Sequence, residues 1–143
     1  MKTVRDLLQG KPAAVWSVSP DATVFEALAV LAEKGIGAVV VVEGGKLVGI
    51  LSERDYARQV VLKGKASKET PVREIMTTRV MYVGLDQTID ECMALMTGKR
   101  FRHLPVLDGD ALIGVVSIGD VVKAVISEKQ FLIEQLETYI TRG

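Results

Sequence analysis

Residues 44–55 read GGKLVGILSERD, and residues 109–120 read GDALIGVVSIGD. The two stretches share a Gly, a Leu, a second Gly, a Ser and an Asp at matching positions. In each copy a turn rich in Gly or Asp, residue types that tolerate positive φ, precedes a short apolar run, Leu47–Leu51 or Leu112–Val116. The stretches therefore predict a tight hairpin turn, a return strand and the start of a helix, and they predict it twice.

The repetition extends outward from these stretches over most of the chain. A shift of 65 positions aligns Val15–Asp55 with the second half without a gap, so that residues 19–26 fall on residues 84–91. After a three-residue adjustment the openings also match, since Val4–Leu8 resembles Val72–Met76. Self-similarity at a fixed period indicates one supersecondary unit that is built twice.

Each copy has the same order of local signals. An extended segment, about 14–18 or 80–83, comes before Thr-x-x-Glu at Thr23–Glu26 or Thr88–Glu91, which is the capping box of a helix start. The run Ala38–Val42 is short and β-branched, and therefore predicts a buried strand. The unit is β-α-β-β-α, and the fold class is α/β (α+β).

The domain boundaries follow from the repeats. We expect the first repeat at residues 1–63, a polar linker with chain breakers at 64–71, and the second repeat at 72–127. Residues 128–143 predict an additional amphipathic helix. Its apolar face consists of Phe131, Leu132, Leu136 and Ile140.

The composition excludes several classes of protein. The 143 residues are 48% apolar and carry no net charge, which argues against a dedicated nucleic-acid binder. A single cysteine, Cys92, allows no internal disulfide. No apolar run is long enough to cross a bilayer, and no signal-peptide pattern is present, so we expect no membrane association and a cytoplasmic location.

The chain resembles the CBS domain, named after cystathionine β-synthase, in its tandem form, the Bateman module. The resemblance covers about residues 3–127 and is carried by PDATV at 20–24, by GGKLVGILSERD at 44–55, and by their second copies. It implies a stand-alone, bacterial-type protein in which two units pack sheet to sheet about a pseudo-twofold axis. It further implies clefts that often bind AMP, ADP, ATP, NAD or S-adenosylmethionine, and pairing of modules into a homodimer.

The Ser-x-x-Asp element has two interpretations. A Ser followed by an Asp three residues later is an ordinary helix N-cap, and the pattern alone favours this reading. The same helix start offers unpaired N–H groups and the positive end of the helix dipole to a ligand. The family resemblance implies that Asp120, and Asp55 in the first copy, accept hydrogen bonds from ribose hydroxyls. The two roles are compatible.

A cationic run, KRFRH at 99–103, has the less basic counterpart KGIGA at 34–38. The resemblance implies that Arg102 and His103 hold phosphates at the Asp120 site, and a guanidinium suits phosphate because it donates parallel hydrogen bonds. The alternative is a solvated edge at a helix C-terminus, where cations are favoured; this alternative is preferred for the first two residues of the run. His103 is the only histidine and is not expected to bind a metal.

Two unequal nucleotide sites follow from the resemblance and its twofold axis. The main site is expected to comprise Val15, Trp16, Ile36, Gly37, Ala38, Arg102, His103, Val115, Ser117, Gly119 and Asp120. The weaker second site would comprise Val80, Met81, Phe101, Ile50, Ser52, Arg54 and Asp55. Trp16 either lines the base or belongs to the core, and Arg54 either binds a phosphate or faces water.

The expected function is therefore that of a regulatory module, a sensor of energy or redox state that binds an adenine nucleotide and signals to an unknown protein. We find no Gly-x-x-x-x-Gly-Lys-Ser/Thr loop and no other catalytic constellation, so neither a catalytic residue nor a catalytic cofactor is expected. Cys92 is expected to be a buried small hydrophobe. The alternative function is a ligand-free scaffold that dimerises through its helices, because an apolar helix face needs burial.

Overall fold

The computed structural model describes residues 2–11, 14–99 and 101–142, with side chains up to Thr138. Two small sheets with flanking helices form the fold, as the repeats predict. The elements in chain order are α1 (Val4–Gln9), β1 (Ser17–Val18), α2 (Val24–Lys34), β2 (Ala38–Glu43), β3 (Lys46–Ser52), α3 (Glu53–Tyr56) continued by a π-helical turn (Ala57–Val61), α4 (Val72–Ile75), α5 (Ile89–Lys99), β4 (His103–Asp108), β5 (Ala111–Ser117) and α6 (Ile118–Arg142).

An antiparallel hairpin is the centre of each repeat, as predicted. Strands β2 and β3 pair through a turn at Gly44 and Gly45, whose φ angles are 59° and 78°. Strands β4 and β5 pair through a turn at Gly109, whose φ is 63°. Backbone with positive φ is accessible to Gly without steric cost, which is why these residues stand at the turns.

The first strand of the unit differs between the repeats. β1 pairs parallel with β2, whereas the strand predicted at about 80–83 is reduced to one bridge between Val83 and Val106. Val83 donates to the carbonyl of Pro105 and accepts from Leu107, both at 3.0 Å. The next bond of a parallel ladder would need the N–H of residue 105, and proline has none. Pro105 therefore ends the ladder after one residue.

The predicted helix starts are confirmed. Thr23 Oγ1 accepts from the Glu26 N–H at 3.1 Å, and Thr88 Oγ1 accepts from the Glu91 N–H at the same distance. The Glu91 side chain also accepts from the Thr88 N–H at 3.4 Å. These bonds satisfy N–H groups that have no partner inside the helix.

The boundary at 127/128 predicted a separate C-terminal helix. The structure instead has one continuous helix across this boundary. α6 runs without a break from Ile118 to Arg142, because residues 121–142 contain neither Gly nor Pro to interrupt it. Its first half packs in the core through Val121 and Ala124. Its second half exposes Phe131, Leu132 and Leu136. The side chain of Ile140 lies outside the described residues.

The short opening helices α1 and α4 are exchanged between the repeats. Val4 of α1 is buried in the core of the second repeat, with Val83, Leu104 and Val116. Val72 and Ile75 of α4 are buried in the core of the first repeat. Each repeat is therefore completed by the opening helix of the other, and the two half-domains depend on each other for a closed core.

Matching contacts on the two sides show the pseudo-twofold relation. Arg5 forms an ion pair with Asp86 at 3.3 Å, and its counterpart Arg73 forms one with Asp21 at 3.2 Å. The N–H of Val4 donates to a carbonyl of the second repeat at 2.9 Å, and the N–H of its counterpart α4 residue donates to the first repeat at 2.8 Å. The predicted arrangement of two facing units is thus present.

Candidate functional site

A cavity of about 910 Å³ lies between the two repeats on the side of Asp120. We call it the Asp120 cleft. The first repeat and the α1–β1 segment contribute Leu8, Lys11, Ala14, Val15, Trp16, Glu33, Lys34, Gly35, Ile36, Gly37 and Ala38. The second repeat contributes His103, Ile113, Gly114, Val115, Ser117, Ile118, Gly119 and Asp120. Small-molecule sites range from roughly 300 to 1,000 Å³, so the cleft has room for a nucleotide.

Ten of the eleven residues predicted for the main site line this cleft, and Arg102 does not. Arg102 is exposed, and its backbone carbonyl accepts from the Ile118 N–H at 2.8 Å. Arg102 lies at a bend just before β4, whereas His103, the first residue of that strand, lines the cleft. Arg100, from the same cationic run, lies outside the described residues.

Asp120 performs the capping role predicted for it and keeps one oxygen available. Its Oδ2 accepts from the Ser117 N–H at 2.8 Å, and its own N–H donates to Ser117 Oγ at 3.1 Å. Among the described residues, none donates a hydrogen bond to Oδ1. The second oxygen of the carboxylate can therefore accept from a ligand hydroxyl while the cap stays intact, so the two interpretations of the motif are compatible in geometry.

Lys11 is the unpredicted charged residue at this carboxylate. Its Nζ lies 2.7 Å from Asp120 Oδ2 and 2.8 Å from the carbonyl oxygen of Val115. Burial would raise the pKa of Asp120, but hydrogen bonds from Lys11 and from Ser117 outweigh it and lower that pKa below its ordinary value. Asp120 is therefore ionised at neutral pH.

His103 lies against the backbone of the first repeat. A Cβ atom at Gly37 would stand 3.3 Å from His103 Nε2, so the glycine makes this close contact possible. Burial is the main reason why the pKa of His103 is lowered, and the charge of Asp120 opposes this shift only in part. At neutral pH the imidazole is uncharged, and it can donate one hydrogen bond and accept another.

Trp16 lies at the mouth of the cleft and is 41% exposed. It is not a core residue, which was one of its two predicted roles. The ammonium of Lys34 stands 4.1 Å from the centre of its ring, a cation–π contact, and also lies 3.4 Å from Glu33 Oε1. An exposed aromatic ring beside a lysine gives this wall both an apolar face and a positive charge.

Sequence reasoning missed nine lining residues, among them Leu8, Lys11 and Lys34. Leu8 packs where a Cβ at Gly114 would come within 2.7 Å of its methyl group, so the glycine admits α1 to the edge of β5. One signal was available: the segment between Leu8 and Val15 is three residues longer than the segment between Met76 and Val80. Extra residues at one of two equivalent sites indicate a local structural difference.

On the Asp55 side of the molecule, the shorter segment between Met76 and Val80 contacts the strand edge directly. Ile50, the counterpart of Val115, exchanges two backbone hydrogen bonds with Thr77, at 3.0 and 2.9 Å. On the Asp120 side the carbonyl of Val115 instead accepts from the Lys11 ammonium. The shorter segment thus brings its own peptide group to the strand edge and occupies the space that is open in the Asp120 cleft.

Among the described residues, those predicted for the second site do not share a cavity of this size. Ser52 and Asp55 form a capping box, with Oδ2 of Asp55 2.9 Å from the Ser52 N–H, and Arg54 is exposed. Met81 and Phe101 pack against the core of the second repeat. Val80 lines a smaller cavity of about 320 Å³, which contains none of the other predicted second-site residues. Its lining consists of Lys46, Leu47, Thr78, Val80, Tyr82, Leu107 and Asp110.

Other chemistry is not evident in the part of the chain that the structure describes. No helix there is long and apolar enough to cross a membrane. No cluster of three or more His, Cys, Asp or Glu side chains is arranged to hold a metal ion within the described ranges. Cys92 is fully buried, as predicted, and burial raises the pKa of its thiol.

Comparison with known proteins agrees with this architecture. A family model, the CBS domain, matches residues 4–62 and 72–127. The solved structure of a protein with CBS domains from Burkholderia ambifaria is 53% identical, covers 88% of this chain and 95% of its own, and has a TM-score of 0.86. That of a CBS-domain containing protein from Agrobacterium tumefaciens is 44% identical, with coverages of 86% and 98% and a TM-score of 0.82.

A relative from Arabidopsis thaliana, the mitochondrial CBS domain-containing protein CBSX3, is 37% identical; the match covers 99% of this chain and 73% of that protein. The chain belongs to the CBS-domain family and consists of two tandem copies of the domain. Pairs of CBS domains are generally regulatory and bind nucleotides.

Proposed function

We propose that this CBS pair is a regulatory module that binds an adenine nucleotide, AMP, ADP, ATP or NAD, in the Asp120 cleft. The observation that carries the proposal is the Asp120 carboxylate, ionised, capped on one oxygen and open on the other, inside a cavity of about 910 Å³. A carboxylate in this state is suited to the paired hydroxyls of a ribose.

The rest of the lining supports a complete nucleotide. Val15, Ile36 and Val115 give apolar walls of the kind that a purine ring requires, with the exposed ring of Trp16 at the mouth. Lys11 and Lys34 supply positive charge, and α6 begins at the cleft, directing the positive end of its dipole toward it. His103 adds an uncharged hydrogen-bonding group on the same wall.

A thermal-shift panel tests this function. Adenosine, AMP, ADP, ATP, NAD and S-adenosylmethionine are compared with guanosine and cytidine nucleotides on the full chain. A ligand at a hundred times its dissociation constant adds about 2.7 kcal/mol to the free energy of unfolding. For a chain of this size that corresponds to a rise in Tm on the order of 5–10 °C. Indifference to every adenosine compound at millimolar concentration would contradict the proposal.

A second candidate function is assembly, because the distal half of α6 exposes apolar side chains. Phe131, Leu132 and Leu136 are each about 60% exposed, and Ile133 is 47% exposed. Exposed apolar surface of this kind is typical of an interaction site, and the homodimer expected from the sequence would bury it.

Mass in solution separates the two candidates. The double variant Leu132→Glu with Leu136→Glu places two charges on this exposed apolar face of α6, which we call the stripe. The control, Gln130→Glu with Gln135→Glu, adds the same charge beside the stripe. Assembly through this stripe predicts that the first variant lowers the mass measured by sedimentation and the second does not. An unchanged mass in both variants would show that the chain does not assemble through the stripe. The proposal of nucleotide binding would still stand.

The proposal includes no catalytic role, because regulation by binding requires none. A cytoplasmic location is proposed with it, since a lone buried cysteine is compatible with a reducing compartment. Turnover of ATP or NAD by the purified chain would contradict the first statement, and fractionation of cells would test the second.

A further inference from the structure

Lys11 contacts two polar groups of the Asp120 cleft that a nucleoside could otherwise use. Its ammonium contacts the Asp120 carboxylate at 2.7 Å and the Val115 carbonyl at 2.8 Å. Both side chains of the ion pair remain partly accessible, at 33% for Lys11 and 23% for Asp120. The pair is therefore in reach of a ligand.

The charges of the described lining are balanced in pairs. Two carboxylates are present, Asp120 and Glu33, and each has its own lysine, Lys11 at 2.7 Å and Lys34 at 3.4 Å. His103 adds no charge at neutral pH. Without Lys11 the lining would have a net negative charge, and a phosphate would enter against repulsion from Asp120.

The lysine stem gives this charge freedom to move. Lys has four methylene groups and a compact ammonium, so Nζ can change its position by several ångströms without backbone movement. When ribose hydroxyls donate to Asp120, the ammonium can transfer part of its bonding to the 5′-phosphate. The 5′-phosphate is joined to the same ribose, only a few bonds away from these hydroxyls.

We propose that Lys11 is the specificity-determining residue that makes the Asp120 cleft prefer phosphorylated ligands to the neutral nucleoside. The inference deepens the proposed nucleotide-binding function and rests on it. Lys11 offsets the charge of Asp120 in the empty cleft and pairs with phosphate in the occupied one. Its counterpart side has a backbone bridge at Thr77 and Ile50 in this place, so the selectivity belongs to one cleft.

The test compares adenosine, AMP and ATP by isothermal titration calorimetry on the full chain. The variant is Lys11→Met, which keeps the length of the stem and removes the charge. Lys63→Met is the matched control, because Lys63 is exposed and does not line the cleft. Lys11→Arg restores the charge. The Tm of each variant is measured so that a general loss of folding is recognised.

The expected result is a loss of about tenfold or more in AMP and ATP affinity in Lys11→Met, with adenosine affinity unchanged or increased. Lys11→Arg should recover most of the loss, and Lys63→Met should match the wild type. The AMP affinity of the wild type should also fall with added salt more steeply than that of Lys11→Met.

Two results would overturn the inference while leaving the proposed function intact. One is an equal loss for adenosine and for the nucleotides, which would make Lys11 a structural residue only. The other is unchanged or higher nucleotide affinity in Lys11→Met, which would make Lys11 a competitor of the ligand. If the wild type binds none of adenosine, AMP, ADP, ATP and NAD, the proposed function fails and this inference fails with it.

Discussion

Asp120 and Asp55 occupy equivalent positions, and the structure predicts that their removal has unequal effects on binding. Each accepts from the N–H of the serine three residues before it, so Asp120→Ala and Asp55→Ala both lose one hydrogen bond of a capping box, worth about 1 kcal/mol. Both variants should melt about 2–4 °C below the wild type. Among the described residues, however, Asp120 lines a cavity of about 910 Å³, and neither that cavity nor the one of about 320 Å³ includes Asp55.

The loss of affinity can be estimated from the geometry of the carboxylate. Hydrogen bonds to a charged group contribute about 1.5–3 kcal/mol each. Because one carboxylate oxygen, Oδ1, receives no hydrogen bond from the described residues, we count the net value of one bond from a ribose hydroxyl, about 2 kcal/mol. Asp120→Ala should therefore weaken nucleotide binding roughly 30-fold, and Asp55→Ala should leave the dissociation constant within about twofold.

Calorimetric titration of both variants with the adenine nucleotide that binds the wild type most tightly measures these values, and melting curves in the same buffer report the cap. Equal weakening in the two variants would refute the unequal clefts. Greater weakening in Asp55→Ala would place the nucleotide on the other side of the molecule.

Two further predictions concern the packing and protonation of the fold. Gly49→Ala should lower the free energy of unfolding more than Gly114→Ala does, by about 1–3 kcal/mol. A Cβ at position 49 would stand 3.0 Å from the rigid Thr77 carbonyl oxygen, whereas at position 114 the nearest group is a flexible leucine methyl that can move away. Equal urea midpoints for the two variants would contradict this. Burial lowers the pKa of His103 in the folded state, so stability is complete above the unfolded pKa of about 6.5 and falls as the pH drops below it. The Tm should therefore decrease from about pH 7.5 to about pH 5.5 more in the wild type than in His103→Gln, and parallel curves would show that His103 does not contribute.

Local signals were sufficient to predict the hairpins and the helix caps. The turn at Gly109 and the capping box at Thr88 each involve only a few consecutive residues, so their geometry depends on residues close in the sequence. The repeat then related one half to the other, and the family resemblance supplied the positions of the cleft. Ten of eleven predicted main-site residues line it for that reason.

Tertiary features were not predictable in the same way. The alignment of the repeats matches α1 with α4 but contains no information on which core each helix joins, so the exchange of these helices was missed. Lys11 stands in the stretch where the two copies differ in length, and a residue without a counterpart is invisible to a comparison of repeats. Arg102 was predicted to hold a phosphate from the family resemblance, and its exposed position at a bend before β4, outside the lining of the cleft, was not visible in the sequence.

The most direct test uses the single tryptophan of the chain, Trp16, which is partly exposed at the mouth of the Asp120 cleft. Its fluorescence is recorded while AMP, ADP, ATP or NAD is added to the full chain. Binding in the Asp120 cleft predicts a saturable change with at least one of them, with one ligand per chain, and the loss of this change in Asp120→Ala. Fluorescence that stays constant to millimolar concentrations of all four nucleotides would contradict it.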